Sequence, residues 1–220
     1  MRPFFISATY AQSPTAPALG FNVFLQKDAL LVTNETEGPV AIGGQLRVGG
    51  NYQVSTNHNG TFSISSTSVT LLVGGRVTFQ NNSVLQVNRN GYIKIGDSSN
   101  LTTWYRDLNN AASPIRITPF GNYNSSGRIQ LQANAVSLGV SATNNPVFQG
   151  GLIDFNSAFV ALKNNSTKMS ICSHNAYLTT PNGLVIGPNN LPSQVRITLK
   201  PGINYLNISH FLTYQISKIL

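Results

Sequence analysis

Apolar and polar positions alternate in short bursts along this chain, and turn-forming residues break the alternation at roughly eight-to-twelve-residue intervals. In the first half the apolar pairs are Phe62/Ile64, Val69/Leu71/Val73, Val77/Phe79, Leu85/Val87 and Ile93/Ile95, with breaks at Asn59-Gly60, Gly74-Gly75, Asn81-Asn82 and Asn90-Gly91. The second half continues with Ile115/Ile117, Ile129/Leu131, Val136/Leu138, Ile153/Phe155, Val160/Leu162, Met169/Ile171, Val185 and Val195/Ile197/Leu199. Strands this short and this evenly spaced predict a sandwich, a barrel or a β-solenoid. Gly43-Gly44 and Gly74-Gly75 lie 31 positions apart, and each pair precedes a polar-apolar alternation (Gln45-Leu46-Arg47-Val48 and Arg76-Val77-Thr78-Phe79), an internal repeat that fits stacked coils. Helical spacing is confined to Asn22–Leu31 and to Leu101–Ala112 behind a candidate Asn100 cap, with Phe211–Leu220 a poorer candidate because of its β-branched content.

The segment Gly20 to Val54 starts the series: Phe21, Val23 and Phe24, a polar Asn34-Glu35-Thr36-Glu37-Gly38 turn, then Val40-Ala41-Ile42-Gly43-Gly44. This run resembles the opening of the choice-of-anchor A family, adhesive domains of bacterial surface and secreted proteins, with Gly38, Ala41, Gly43 and Gly44 on the matching positions. The resemblance is specific over Phe21–Tyr52, diffuse over the β-rich remainder and absent at the far end. It implies a β-helical adhesive region followed by a sorting or anchoring signal, whereas Leu191-Pro192-Ser193-Gln194-Val195 lacks the Thr-Gly of a sortase motif. A fragment, or a frameshifted end over His210–Leu220, is therefore expected.

Periodicity and resemblance together predict an all-β fold, a right-handed parallel β-helix with one or two short flanking helices, with a β-sandwich as the alternative. The expected organisation is a leader or disordered N-terminus over 1–18, a solenoid over 19–209 and an irregular end over 210–220. Ser13–Ala18 reads as a flexible lead, and Met1–Ala11 resembles the tail of a secretory signal, although its apolar stretch is shorter than a signal core. No stretch approaches the ~18 apolar residues of a membrane span.

Charged residues are only 9% of the 220, so Asn, Ser, Thr, Gln and Gly must cover most of the surface, as on an exported solenoid. The net charge of +8 raises a nucleic-acid reading. The cations from Arg47 to Lys200 are spread without a basic run, which opposes specific phosphate recognition but leaves weak attraction to anionic glycans or wall polymers. The single Cys172 excludes an intrachain disulfide and reads as a small buried hydrophobe.

Catalytic chemistry has few candidates. The carboxylates are Asp28, Glu35, Glu37, Asp97, Asp107 and Asp154; only Glu35 and Glu37 are near neighbours, in a polar turn, and a glycosidase needs a facing pair. His58, His174 and His210 lack metal-ligand spacing, the Asp97-Ser98-Ser99-Asn100 and Asp107-Leu108-Asn109-Asn110 segments lack the density of a calcium loop, and no metal or cofactor is expected. For binding, Trp104-Tyr105-Arg106 with Tyr123, and Tyr92 elsewhere, combine aromatic faces with a cation, the materials that stack sugars or hold a protein side chain. A neutral Asn/Thr/Ser surface is a second candidate, and the absence of regular Thr-x-Thr weighs against ice. The expected function is a non-enzymatic, exported adhesion domain on the bacterial surface or outside the cell, binding a glycan, wall polymer or matrix protein. A β-helical polysaccharide-processing enzyme and a structural stalk are the alternatives, and convergence of Asp97, Asp107 and Asp154 on one cleft would favour the enzyme.

Overall fold

The computed structural model describes residues 13–80, 82–170, 178–179 and 196–197. The chain divides into two compact units, residues 1–162 and 163–220. The strands are β1 (Val23–Leu25), β2 (Ala29–Leu31), β3 (Asn34–Thr36), β4 (Val40–Ile42), β5 (Leu46–Val48), β6 (Tyr52–Val54), β7 (Ser63–Ile64), β8 (Thr67–Val73), β9 (Val77–Phe79) and β10 (Val84–Val87). They continue with β11 (Tyr92–Ile95), β12 (Leu101–Trp104), β13 (Pro114–Pro119) and β14 (Arg128–Asn134), then α1 (Ala135–Leu138) and α2 (Phe155–Ser170). In the second unit β15 (Leu178–Thr179) pairs antiparallel with β16 (Arg196–Ile197).

The fold is mostly β. Three sheets carry the first unit, ordered β1-β4-β8-β11 with β7 beside β8, β2-β5-β9, and β12-β13-β14-β10-β6-β3. The chain visits them in turn: β1, β2, β3, then β4, β5, β6, then β8, β9, β10, each strand lying parallel to the one a visit earlier. The 31-residue repeat is a true register, with Val40 opposite Leu71 and Leu46 opposite Val77. Val40, Ile42, Leu46, Val48, Val54, Leu71, Val73, Leu85 and Val87 from all three sheets meet in one buried core. Antiparallel pairing enters with the β12-β13-β14 meander and the β7–β8 hairpin.

Glycine stacking holds the corner after the first sheet. Gly43 N–H donates to Leu25 O at 2.8 Å, Gly74 N–H to Ile42 O at 2.7 Å and Gly96 N–H to Val73 O at 2.8 Å. A Cβ on Gly74 would overlap the carbonyl oxygen of Gly43, and one on Gly96 that of Gly74, so the corner demands glycine for close approach and not for a left-handed φ. The other motif positions have equally concrete reasons. A Cβ on Gly38 would overlap the Asn22 amide, one on Gly44 would lie 2.8 Å from the Lys27 carbonyl carbon, and one on Gly43 would lie 2.8 Å from Phe155 Cγ. Ala41 is fully buried in a second apolar cluster with Phe21, Val69, Leu72 and Phe155.

That cluster is where α2 docks on the outer side of the first sheet. Phe24 stacks on Phe155 at 5.0 Å and on Phe159 at 5.5 Å between ring centroids. The small Ala41 and Gly43 leave room for the rings.

The helices fall in other places than the spacing predicts. Asn22–Leu31 forms β1 and β2, because Val23, Phe24 and Leu25 pair with Val40, Ala41 and Ile42 and the Asp28 carboxylate accepts the Gln45 N–H at 2.7 Å. Leu101–Ala112 is β12 and a turn: Thr102 and Thr103 favour extended backbone, Asn100 takes a left-handed φ of 60°, and Asp107 Oδ1 accepts the N–H groups of Asn109 and Ala111. Conversely, Val136/Leu138 lie in α1, and Ile153/Phe155, Val160/Leu162 and Met169 belong to α2 or its start and not to strands. Asp154 begins α2: its carboxylate accepts Ser157 N–H at 3.0 Å and Ser157 Oγ–H at 2.7 Å, while Phe155 and Phe159 fall one turn apart on the buried face. The Asn34–Thr36 part of the polar turn is β3, and the Ser13–Ala18 lead carries a 3₁₀ turn at Ala16–Ala18. Residues 1–12, Cys172, His174, Val185, the Leu191–Val195 segment and residues 210–220 lie outside the described residues.

Candidate binding face

The six-stranded sheet aligns one row of side chains across all its strands. Register places Glu35 opposite Gln53, Gln53 opposite Gln86, Gln86 opposite Gln130, Gln130 opposite Arg116 and Arg116 opposite Trp104. Strand alternation turns this row outward: its flanking neighbours Val54, Leu85, Val87, Ile129, Leu131, Ile115 and Ile117 are buried, whereas all six row residues retain solvent exposure. Five steps at the strand spacing make the row about 24 Å long.

One end is aromatic and cationic. Trp104 meets Tyr123 edge-on at 5.3 Å, and the Arg116 guanidinium lies 4.4 Å from the Tyr123 ring centroid. Trp104 Nε1–H donates to Thr118 Oγ1 at 2.8 Å and Arg116 donates to the Tyr123 carbonyl at 3.0 Å, so both are held in place. Along the row, Asn88 Nδ2–H donates to Gln53 Oε1 at 3.1 Å and Arg128 Nε–H to Gln130 Oε1 at 3.2 Å. No protein partner among the described residues engages the side chains of Glu35 or Gln86. Two shallow cavities flank the other end, about 420 Å³ beside Asn34, Asn51, Tyr52 and Val84, and about 430 Å³ beside Thr56, Asn88, Arg89 and Gln132; both share Glu35 and Gln53.

The aromatic quartet expected from sequence is split where β12 ends at Trp104 and the chain bends. Trp104 and Tyr123 come together, but Tyr105 turns to the core, its hydroxyl accepting the Val147 N–H at 2.9 Å, and Arg106 donates to Asn110 O at 3.0 Å within its own turn. Tyr92 is fully buried and donates to Asn145 O at 2.7 Å; burial holds its hydroxyl well above the usual phenol range. The glutamine row and Arg116 escape sequence reasoning because unequal loops space them irregularly. The signal available is the motif of one polar residue between apolar ones in Tyr52-Gln53-Val54, Leu85-Gln86-Val87 and Ile129-Gln130-Leu131.

The aspartates each serve local structure. Asp97 accepts the Ser99 N–H at 2.8 Å, and bonds from the Ser99 side chain and backbone hold its carboxyl below the usual range. The Ser157 backbone N–H and then its hydroxyl do the same for Asp154, and Asp107 is occupied by its own turn. Glu37 offers its carbonyl to the Asn57 and His58 N–H groups. Among the described residues no group of three or more His, Cys, Asp or Glu side chains stands ready for a metal ion, and no helix is long and apolar enough to cross a membrane.

Among the described residues the buried cation is Lys94, on the first sheet, fully buried and donating to Pro146 O and Gln149 Oε1, each at 2.7 Å. Burial lowers its pKa from 10.5 to about 8.

A fixed sheet face bearing amides, an arginine and an edge-packed indole has the makings of a contact surface, and the comparison with protein families agrees with a module of that class. Residues 14–218 match the family model described as "Putative Ice-binding-like adhesive domain", and the chain belongs to that family of adhesive domains. No curated protein and no solved structure matches it.

Proposed function

We propose that the protein is a non-enzymatic adhesion module of the choice-of-anchor A type, exported to the bacterial surface or beyond, that binds an external glycan or protein ligand through the outer row of the six-stranded sheet. The observation that carries this reading is the row itself, Trp104–Arg116–Gln130–Gln86–Gln53–Glu35, aligned by strand register. The adhesive family supports the class, and the reasons found for Gly38, Ala41, Gly43 and Gly44 support the finer assignment.

The architecture that goes with it is a right-handed parallel β-helix within residues 19–209, behind a leader or disordered N-terminus over 1–18. Three parallel ladders visited in rotation and one shared core support it, and parallel crossovers are right-handed in about 98% of cases. A sandwich would need its sheets built mainly from antiparallel pairs. The middle positions of β5 and β9 are Arg47 and Thr78 and those of β6 and β10 include Gln53 and Gln86, so no threonine array favours ice over adhesion. The enzyme reading loses support because Asp97, Asp107 and Asp154 are each engaged by their own turns.

The test is a pull-down against insoluble glycans, wall polymers and collagen-type matrix across a salt series, beside a reducing-sugar assay. Retention without sugar release is expected, with a salt-sensitive part on anionic surfaces because of the +8 charge. Sugar release abolished by Asp97→Asn, Asp107→Asn or Asp154→Asn would refute the reading, and no retention on any surface would leave the stalk ahead.

A further inference from the structure

The adhesion reading leaves the ligand open between glycan and protein and between neutral and anionic; resting on that reading, the row's chemistry narrows the choice. From its register we infer that the outer row takes a neutral polysaccharide chain, laid across the strands with its end sugar against Trp104 and successive sugars over Gln130, Gln86 and Gln53. Every amide in the row both donates and accepts, as a sugar hydroxyl does, whereas the row itself holds one cation, Arg116, with Arg128 beside it and Arg89 in the flanking cavity, too few for a charge on every sugar, and an anionic chain would also face the Glu35 carboxylate. A peptide ligand adding to a sheet runs along a free strand edge, but this row crosses the sheet's face, and the four inner strands that carry Arg116, Gln130, Gln86 and Gln53 are paired on both sides.

The row is also linear and long. Its amides recur at the strand spacing of about 4.8 Å, so a ligand gains one contact set per strand crossed. The indole supplies a flat apolar surface for a pyranose ring, and its Nε1–H is already satisfied by Thr118, so stacking costs no hydrogen bond. Gln86, at the middle of the row and without a side-chain partner among the described residues, is ready to bond a hydroxyl.

The experiment is calorimetric titration of the full chain with β-linked glucose oligomers from disaccharide to hexasaccharide, beside polygalacturonate oligomers and a collagen peptide. Affinity for the neutral series should climb with each sugar until the row is filled, and should stay flat from low to high salt because no ion pair carries it. Trp104→Ala should weaken binding about tenfold and Gln86→Ala about fivefold. Thr78→Ala on another sheet should leave it unchanged, with melting curves confirming that each variant is folded. Gln86→Ala keeps the test decisive if Trp104→Ala fails to fold, since no hydrogen bond to the Gln86 side chain is made among the described residues. Binding confined to polygalacturonate or the collagen peptide, or neutral binding indifferent to both substitutions, would overturn this inference while leaving the adhesion reading intact. Loss of retention on every surface in the pull-down would overturn both.

Discussion

Replacing Gly74 by alanine tests the stacked corner at its most crowded point. Gly74 sits between Gly43 and Gly96; its own Cβ would overlap the Gly43 carbonyl oxygen and lie 3.1 Å from the Gly43 carbonyl carbon, with the Gly43 Cα at 3.4 Å. All three atoms are backbone, so no side chain can swing aside. Relief requires the two coils to part locally, which stretches Gly74 N–H to Ile42 O, now 2.7 Å, and the neighbouring Gly75 N–H to Gly44 O, now 2.8 Å. Two weakened bonds at about 0.5–1.5 kcal/mol each, with about 1 kcal/mol for disturbed packing of Ile42 and Val73, give a destabilisation of about 2–4 kcal/mol. For a protein of this size that is a fall in melting temperature of about 5–15 °C. Gly150→Ala is the internal comparison: its Cβ would stand 3.3 Å from Gly96 O, a contact that small shifts can absorb, at a cost below about 1 kcal/mol. Calorimetric melts of both variants decide it. If Gly74→Ala melts within about 2 °C of the parent, or falls no further than Gly150→Ala, close approach is not what fixes the glycine.

Burial of Lys94 makes stability depend on alkaline pH. Its folded pKa of about 8 lies below the ordinary 10.5, so between them the unfolded chain holds the extra proton and stability should rise with pH, by up to about 1.4 kcal/mol per unit. Below pH 8 both states carry the charge and the gain is absent. The raised Tyr92 pKa acts in the opposite sense above about pH 10, so urea unfolding from pH 8 to 10 is the window, and Lys94→Met should flatten the rise; a parent with flat or falling stability there would refute the assignment. Asp154→Ala removes the acceptor for Ser157 N–H and should lower the melting temperature by less than Gly74→Ala does, with loss of helical circular dichroism. Because hydrogen bonding depresses the Asp97 and Asp154 pKa values, their contribution is complete above the usual carboxylate range and fades as pH falls through the depressed values; in acid titrations Asp154→Ala should lose less stability than the parent.

Most of the strand inventory was readable from the chain because a two-residue period needs only local sequence. Val77/Phe79, Leu85/Val87 and Ile129/Leu131 each became one strand with the expected faces buried or half-buried, and the doubled glycines 31 positions apart became a real register. The errors share a cause. Phe24 lies at a helical spacing from its apolar neighbours, yet it is extended, because its ladder with Ala41 and its contact with Phe155, 131 positions away, outweigh local preference. The same distant partner makes α2: Ile153 and Phe155 alternate as a strand would, and only the Asp154 cap and the one-turn separation of Phe155 and Phe159 mark a helix start.

The candidate site was the least legible part for a related reason. Trp104, Tyr105 and Arg106 are adjacent in sequence, but β12 ends at Trp104 and the chain bends there, so Tyr105 enters the core while Trp104 remains outside and Arg106 bonds within its own turn. What stands beside Trp104 comes instead from across the ladder, Arg116 at 12 positions and Gln130 at 26, and the distance to the next partner changes with every loop. A stacked-strand protein thus writes its surface perpendicular to its sequence. The residues that act together share a register, and register depends on which coil lies above which, a property set by corner glycines and loop lengths far from the surface they align. Gly74, at the corner after β8, and Gln86, in β10, are therefore linked despite their separation, since a change that parts the coils at the glycine corner also shifts the spacing of the amides that would meet a ligand.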